Sequence, residues 1–208
     1  MTSSSPFDLI YRDDHLLVAN KPAGLLAVPG RGEEKQDCLS ARLQKEFPDA
    51  LVVHRLDMAT SGLMMFARGA DMQRLLSLMF QEREVEKRYV AVVAGKLALE
   101  TGEVNLPIAA DWPNRPLRVI DAELGKPSLT RYRLLGVDAG NTRVELEPVT
   151  GRTHQLRVHM KAIGHPILGD ALYGDAASAP RLMLHATTLK LLHPATRAHL
   201  HFVDAPPF

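Results

Sequence analysis

Cysteine is almost missing from this sequence. Cys38 stands alone among 208 residues, which excludes an internal disulfide and a cysteine-built zinc site. Aromatic residues amount to 5%, with a single tryptophan, Trp112. No apolar run approaches the roughly 18 residues of a membrane span. The Ser-rich residues 1–6 lack the basic and apolar regions of a secretory signal. An excess of one charge is also lacking: 25 Lys and Arg face 24 Asp and Glu. A uniformly basic nucleic-acid-binding surface is therefore not expected. Several catalytic signatures are missing too. Residues 30–35 lack the spacing of a phosphate-binding loop, and no G-x-G-x-x-G follows a strand. Ala59-Thr60-Ser61-Gly62 is not a nucleophile elbow. His154 and His159 do not form H-E-x-x-H.

The composition that remains is that of a globular protein, with 46% hydrophobic and 24% charged residues. The length suits one domain, or one domain with two lobes, and buries a real core. These features together predict a cytoplasmic protein that needs no metal. Strands are expected over 8–12 and 15–20, around an Asp13-Asp14 turn. A helix is expected over 38–47, capped by Asp37 and stopped by Pro48. Residues 51–53 and 63–68 read as short apolar strands. Met72, Leu75, Leu76, Met79 and Phe80 recur at helical spacing, predicting a helix over 70–81. Further strands fit 87–95, 103–106, 117–122, 128–136 and 141–149. A helix opening at Thr150-Gly151 should run to Ile163. Strands over 183–192 and 197–203 complete the chain. Many short strands with three helices between them indicate an α+β fold with a large, mainly antiparallel sheet.

Three polar clusters interrupt this pattern. His54-Arg55-Leu56-Asp57-Met58-Ala59-Thr60-Ser61-Gly62 lies between two apolar strands. A strand ending in a charged tetrad is unusual for a segment that only packs, since charges beside a core need partners. Thr150 to His159 gathers two Arg, two His and one Gln at a helix start, where anions are favoured. Glu86-Lys87-Arg88-Tyr89 places a Tyr at a strand start, able to pack in the core or to stack on an extruded base. Each cluster taken alone also fits a solvated loop, helix face or strand rim.

Taken together, the clusters resemble the signatures of the RluA family of RNA pseudouridine synthases. His54-Arg55-Leu56-Asp57-x-x-Thr60-Ser61-Gly62 resembles the family's catalytic block, and Asn20-Lys21-Pro22-x-Gly24 its N-terminal block. Lys87-Arg88-Tyr89 resembles the block with the active-site Tyr. Residues 151–159 and Gly164-His165-Pro166-Ile167-x-Gly169-Asp170 resemble the third block. The matches follow the family's order over nearly the whole chain. The core begins near residue 8, so a single catalytic domain over 1–208 is expected, with 1–7 flexible and no preceding S4 domain. Asp111-Trp112-Pro113-Asn114-Arg115-Pro116 resembles a segment of the family's dual-specificity branch. That branch acts on 23S rRNA and on the anticodon stem-loop of certain tRNAs.

The resemblance implies a pseudouridine synthase fold with an active-site cleft across the middle of its sheet. It implies cleavage of a uridine's N1–C1′ bond, rotation of the uracil, and a new C5–C1′ bond. Nothing is oxidised and no group is carried away, so no cofactor is required. A glycoside hydrolase needs two carboxylates. Here the base is retained, and one, Asp57, is enough. Asp57 acts as nucleophile at C1′ or as base on the ribose; both remain open. Arg157 is implied as the charge that holds Asp57 ionised, and Tyr89 as the ring on the uracil. Arg55 is implied to fill the gap left by the extruded base. His54, Thr60, Arg152 and Arg115 are further RNA-binding candidates, and Leu156 and Ile167 candidate pocket walls. Arg31, Arg118, Arg131 and Lys161 are weaker phosphate candidates, and Trp112 faces either RNA or core. The expected partners are the two RNAs, for a monomer with no obligate protein partner. The alternatives are a synthase with one RNA target and a catalytically silent RNA-binding module. A buried, inert Cys38 is expected.

Overall fold

The computed structural model describes residues 7–208. In chain order the elements are β1 (Asp8–Arg12), β2 (Leu16–Lys21), α1 (Leu39–Glu46), β3 (Ala50–Val52) and β4 (Ser61–Arg68). There follow α2 (Ala70–Gln81), β5 (Glu86–Val93), β6 (Thr101–Asn105), β7 (Ile108–Ala110) and β8 (Arg118–Ile120). The chain closes with β9 (Leu129–Asp138), β10 (Asn141–Pro148), α3 (Gln155–Ala162), β11 (Leu184–Leu192) and β12 (His199–Val203). This is the expected α+β class with a large, mainly antiparallel sheet. The described residues divide into two compact units, residues 7–87 with 186–207, and residues 88–185 with Phe208. The segment expected to be flexible falls mostly on residues 1–6, outside the described residues. Phe7 is buried against Phe47.

In the first unit β2 pairs antiparallel with β1 and β4, β3 with β4, and β12 with β11. Strands buried on both faces read as continuous apolar runs. β2 and β4 show this directly. Leu16, Val18, Leu63, Met65 and Ala67 pack on one face with Leu76 and Met79 of α2. Leu17, Ala19, Met64 and Phe66 pack on the other with Leu39 and Leu43 of α1. The period-2 alternation of strand side chains sends neighbours to opposite layers. The unit is therefore a helix–sheet–helix sandwich.

In the second unit β5, β10, β9 and β6 form an antiparallel run, and β7 and β8 a separate hairpin. Arg88 pairs with Glu147 at 2.8 Å, Arg131 with Glu103 at 2.8 Å and Arg133 with Glu145 at 3.1 Å across one face of that run. α3 packs on the opposite face, over β9 and β10.

Local chemistry explains where the structure departs from expectation. α1 is capped by Cys38, whose Sγ accepts the Ala41 N–H at 3.4 Å, while Asp37 instead pairs with Arg42 at 2.7 Å. Cys38 is fully buried. α3 begins at Gln155, five residues later than expected. The Gln155 side chain is the reason. Its Oε1 accepts from Thr150 Oγ1 at 2.7 Å and from the Arg152 N–H at 3.0 Å. Its Nε2 donates to the Leu129 carbonyl at 2.9 Å. A buried amide that takes up loop donors keeps the loop from coiling into the helix. Among the described residues no helix is long and apolar enough to cross a membrane.

Candidate active site

Each unit carries its own share of the residues singled out in the sequence. In the first unit, the loop between β3 and β4 presents Asp57. The Thr60 N–H donates to the Asp57 main-chain carbonyl at 3.1 Å, closing a turn that begins at Asp57. The next carbonyl, of Met58, accepts from the Gly24 N–H at 2.8 Å and from Lys21 Nζ at 3.0 Å. Lys21 is completely buried, and its ammonium also donates to the carbonyls of Pro22 at 2.9 Å and Leu25 at 2.7 Å. An ammonium has three donors, and these three carbonyls match them in number. Lys21 thus ties the Lys-Pro-Ala-Gly turn to the backbone beside Asp57. Sequence reasoning noted the motif without finding this task; the signal was a lysine ending an otherwise apolar strand.

His54 and Thr60 do not fit the RNA-binding part assigned to them. His54 Nε2 accepts the Met65 N–H at 2.9 Å, and its ring stacks on Phe80 with centroids 4.4 Å apart. Strand β3 stops pairing at Val52 opposite Phe66. The imidazole therefore supplies the acceptor that the strand no longer offers to the next donor of β4. Burial, with the nearby Lys87 charge, lowers the His54 pKa to about 3. It is neutral at physiological pH and brings no charge to a phosphate. Thr60 is buried at 3% exposure, and its N–H closes the turn at Asp57. Arg55 is exposed, as contact with RNA requires.

Gly62 ends the block for a backbone reason. Its φ is +113°, and a Cβ there would lie 2.3 Å from the Ala186 carbonyl oxygen. Only glycine has the conformational freedom and lacks the bulk.

In the second unit, Tyr89 lies opposite Leu146 in the β5–β10 register. Thr130 lies opposite Pro148, two positions along β10 from Leu146, so all four residues share one sheet face. That is the face α3 covers, since Gln155 Nε2 donates to Thr130 Oγ1 at 3.0 Å and His159 Nδ1 lies 2.9 Å from the same atom. His159 Nε2 is 2.9 Å from the Leu106 carbonyl. Because a carbonyl only accepts, Nε2 carries the proton and Nδ1 accepts from Thr130. Burial lowers the His159 pKa against the opposing pull of Leu106. His159 is a neutral structural link.

Arg157 projects from α3 at 4% exposure. Its Nε donates to Asp170 Oδ2 at 2.8 Å and its Nη2 to Oδ1 at 2.6 Å. The sequence places Asp170 in the third block but does not reveal this partner, because Asp170 lies 13 residues beyond Arg157, in the loop after α3. Burial alone would raise the Asp170 pKa. The Arg157 hydrogen bond and charge, with the N–H groups of Leu172 and Tyr173, outweigh it and hold the carboxyl below its ordinary value. Leu156 and Ile167 are buried in the same unit. Arg152 is exposed and reaches the Pro127 carbonyl at 3.4 Å. Trp112 belongs to the surface and not the core: it is 69% exposed, with the Arg115 guanidinium 3.7 Å above its ring. Arg131 is engaged by Glu103, which weakens its candidacy as a phosphate contact.

The chain as a whole matches a known family. The RNA pseudouridylate synthase family model matches residues 15–162, more than two thirds of the chain. The chain belongs to that family and is an RluA-type pseudouridine synthase, an isomerase of uridine in RNA. It is 52% identical over 191 residues to the dual-specificity RNA pseudouridine synthase RluA of Escherichia coli K12, covering 90% of this chain and 87% of that one. It is 49% identical over 198 residues to the protein of the same name from Yersinia pestis, covering 93% and 96%. The solved structure of human RNA pseudouridylate synthase domain containing 1 superposes with a TM-score of 0.81 at 31% identity. It covers 100% of this chain and 86% of that one.

Proposed function

We propose that this enzyme has two RNA targets, a uridine in 23S rRNA and a uridine in the anticodon stem-loop of tRNA. The observation that carries the reading is the identity of about one half, over nine tenths of the chain, with relatives named dual-specificity synthases. The exposed Trp112–Arg115 stack supports it, since it lies in the segment that resembles the dual-specificity branch.

In this reading Asp57 is the catalytic carboxylate acting at the ribose. The turn closed by Thr60 and anchored by Lys21 holds its backbone. Arg157 supplies the positive charge that the reaction draws on. Tyr89 packs on the uracil, and Leu156 and Ile167 wall the pocket. The reacting atoms of a stacked uridine are inaccessible, so the base leaves the stack at a cost of a few kcal/mol. Loops and stem-loop ends lower that cost, and Arg55 fills the gap left behind. Arg115 and Arg152 hold phosphates, a contribution that salt weakens. The enzyme acts in the cytoplasm as a monomer.

Tritium release from C5-labelled uridine tests the reading. Wild type should release tritium from a tRNA anticodon stem-loop and from a 23S rRNA fragment. Asp57→Asn should lower both rates by about 10³-fold or more. Release from one RNA alone would overturn the dual specificity. Undiminished release by Asp57→Asn would overturn the role of Asp57.

A further inference from the structure

Arg157 lies in a built seat whose parts extend well past the motif that contains it. Asp170 grips the Nε–Nη2 edge of the guanidinium through two bonds, at 2.8 and 2.6 Å. The carboxylate is itself fixed, because Oδ1 also accepts the N–H groups of Leu172 at 2.9 Å and Tyr173 at 3.1 Å. The same turn brings the Tyr173 ring beneath Arg157, with 5.1 Å between the guanidinium carbon and the ring centroid. Lys161 approaches that ring at 5.7 Å. A guanidinium held edge-on by a carboxylate and face-on by an aromatic ring keeps little rotational freedom.

The Tyr173 hydroxyl extends the seat in two directions. It accepts the Arg118 N–H at 2.9 Å, at the start of β8. It also lies 2.7 Å from His154 Nδ1. The phenol's one proton is available for that nitrogen, since the Arg118 contact uses only a lone pair. His154 is the N-cap of α3 and has left-handed backbone angles, φ 58° and ψ 14°. Such a conformation is costly for a residue other than glycine and persists where surrounding contacts fix it. Its carbonyl accepts the Val158 N–H at 2.9 Å, the first turn of the helix that carries Arg157. One hydroxyl therefore joins the β7–β8 hairpin, which bears the Trp112–Arg115 stack, to the N-terminus of α3.

We infer that Asp170 and Tyr173 are positioning residues for isomerisation, acting through Arg157, and that the Tyr173 hydroxyl couples the β7–β8 hairpin to that arginine. The inference rests on the proposed catalytic part of Arg157. Tyr173→Phe is the sharp probe, because it keeps the ring and removes only the hydroxyl. Asp170→Asn strikes a buried ion pair and risks the fold.

The experiment is a double-mutant cycle of Tyr173→Phe with Arg157→Lys. The rate read is single-turnover tritium release from an anticodon stem-loop, and RNA affinity is measured with each variant placed in Asp57→Asn protein. Misplacing a catalytic group by a fraction of an ångström costs rate more than binding. Tyr173→Phe should slow release about tenfold and change Kd by less than about twofold. In Arg157→Lys protein, which is slow already, the same substitution should change the rate by less than about twofold. Equal slowing in both backgrounds, or no slowing beside a normal arginine, would overturn this inference alone. A wild-type rate for Arg157→Lys would overturn the catalytic part of Arg157 and this inference with it.

Discussion

His54 shows how a residue from a catalytic block can belong to the scaffold. Its imidazole completes a strand ladder at the Met65 N–H, 2.9 Å away, and that bond exists only while Nε2 is unprotonated. The folded pKa of about 3 lies below the ordinary histidine value. As pH falls below about 6.5 the unfolded chain binds the proton first. The contribution of His54 is therefore complete above about 6.5 and is lost progressively as pH falls toward the folded value. The slope is at most about 1.4 kcal/mol per pH unit. His54→Gln offers an acceptor that does not titrate. Urea denaturation at a series of pH values should show a flatter acid limb for the variant between about pH 6.5 and 4. Parallel curves would remove His54 as a source of the acid sensitivity. Asp170 acts with the same sign at lower pH, since its carboxyl is held below the ordinary value by Arg157 and two backbone N–H groups.

At the scale of elements, β4 is positioned by a glycine. The Gly62 backbone lies so close to Ala186 of β11 that an added Cβ would meet the carbonyl oxygen at 2.3 Å, at a φ of +113°. Both the contact and the conformation resist a methyl group. Gly62→Ala should cost more than about 3 kcal/mol, read as a lower Tm and an earlier urea midpoint. An unchanged Tm would show that β11 yields without cost. The elements also show what the chain made legible. The helix expected at 70–81 forms over those residues, because its apolar positions recur on one face and Gly69 precedes it. β1 likewise forms over 8–12, beside a turn in which Asp13 Oδ1 accepts the N–H groups of His15 and Leu16. Signals that depended on distant partners were hidden. The start of α3 is decided by Gln155 bonding to Leu129, 26 residues away. The cap of α1 fell to Cys38 because Asp37 is drawn to Arg42. β7 is only three residues long and was missed. Among the candidate residues, Asp57, Tyr89 and Arg157 stand in motifs that are legible in the chain. Lys21 acquires its task only when it meets Met58, 37 residues away, and Asp170 and Tyr173 theirs only when the loop after α3 folds back on Arg157.

For the whole molecule, a formal charge of +1 means that affinity for RNA comes from where the arginines lie and not from their surplus. Arg55, Arg115 and Arg152 are exposed, whereas Arg88, Arg131 and Arg133 are engaged by glutamates on one sheet face. That division suits an enzyme that grips a local RNA feature and draws out one base. The chemistry required of it is economical: the base that leaves the ribose is the base that returns. The most direct measurement is a nucleoside balance. A modified stem-loop is digested, and pseudouridine, uridine and free uracil are quantified for wild type and Asp57→Asn. The account predicts one pseudouridine for each uridine lost, no free uracil, and unchanged uridine with the variant. Free uracil accumulating in place of pseudouridine would contradict it, because the carboxylate would then be admitting water instead of returning the base.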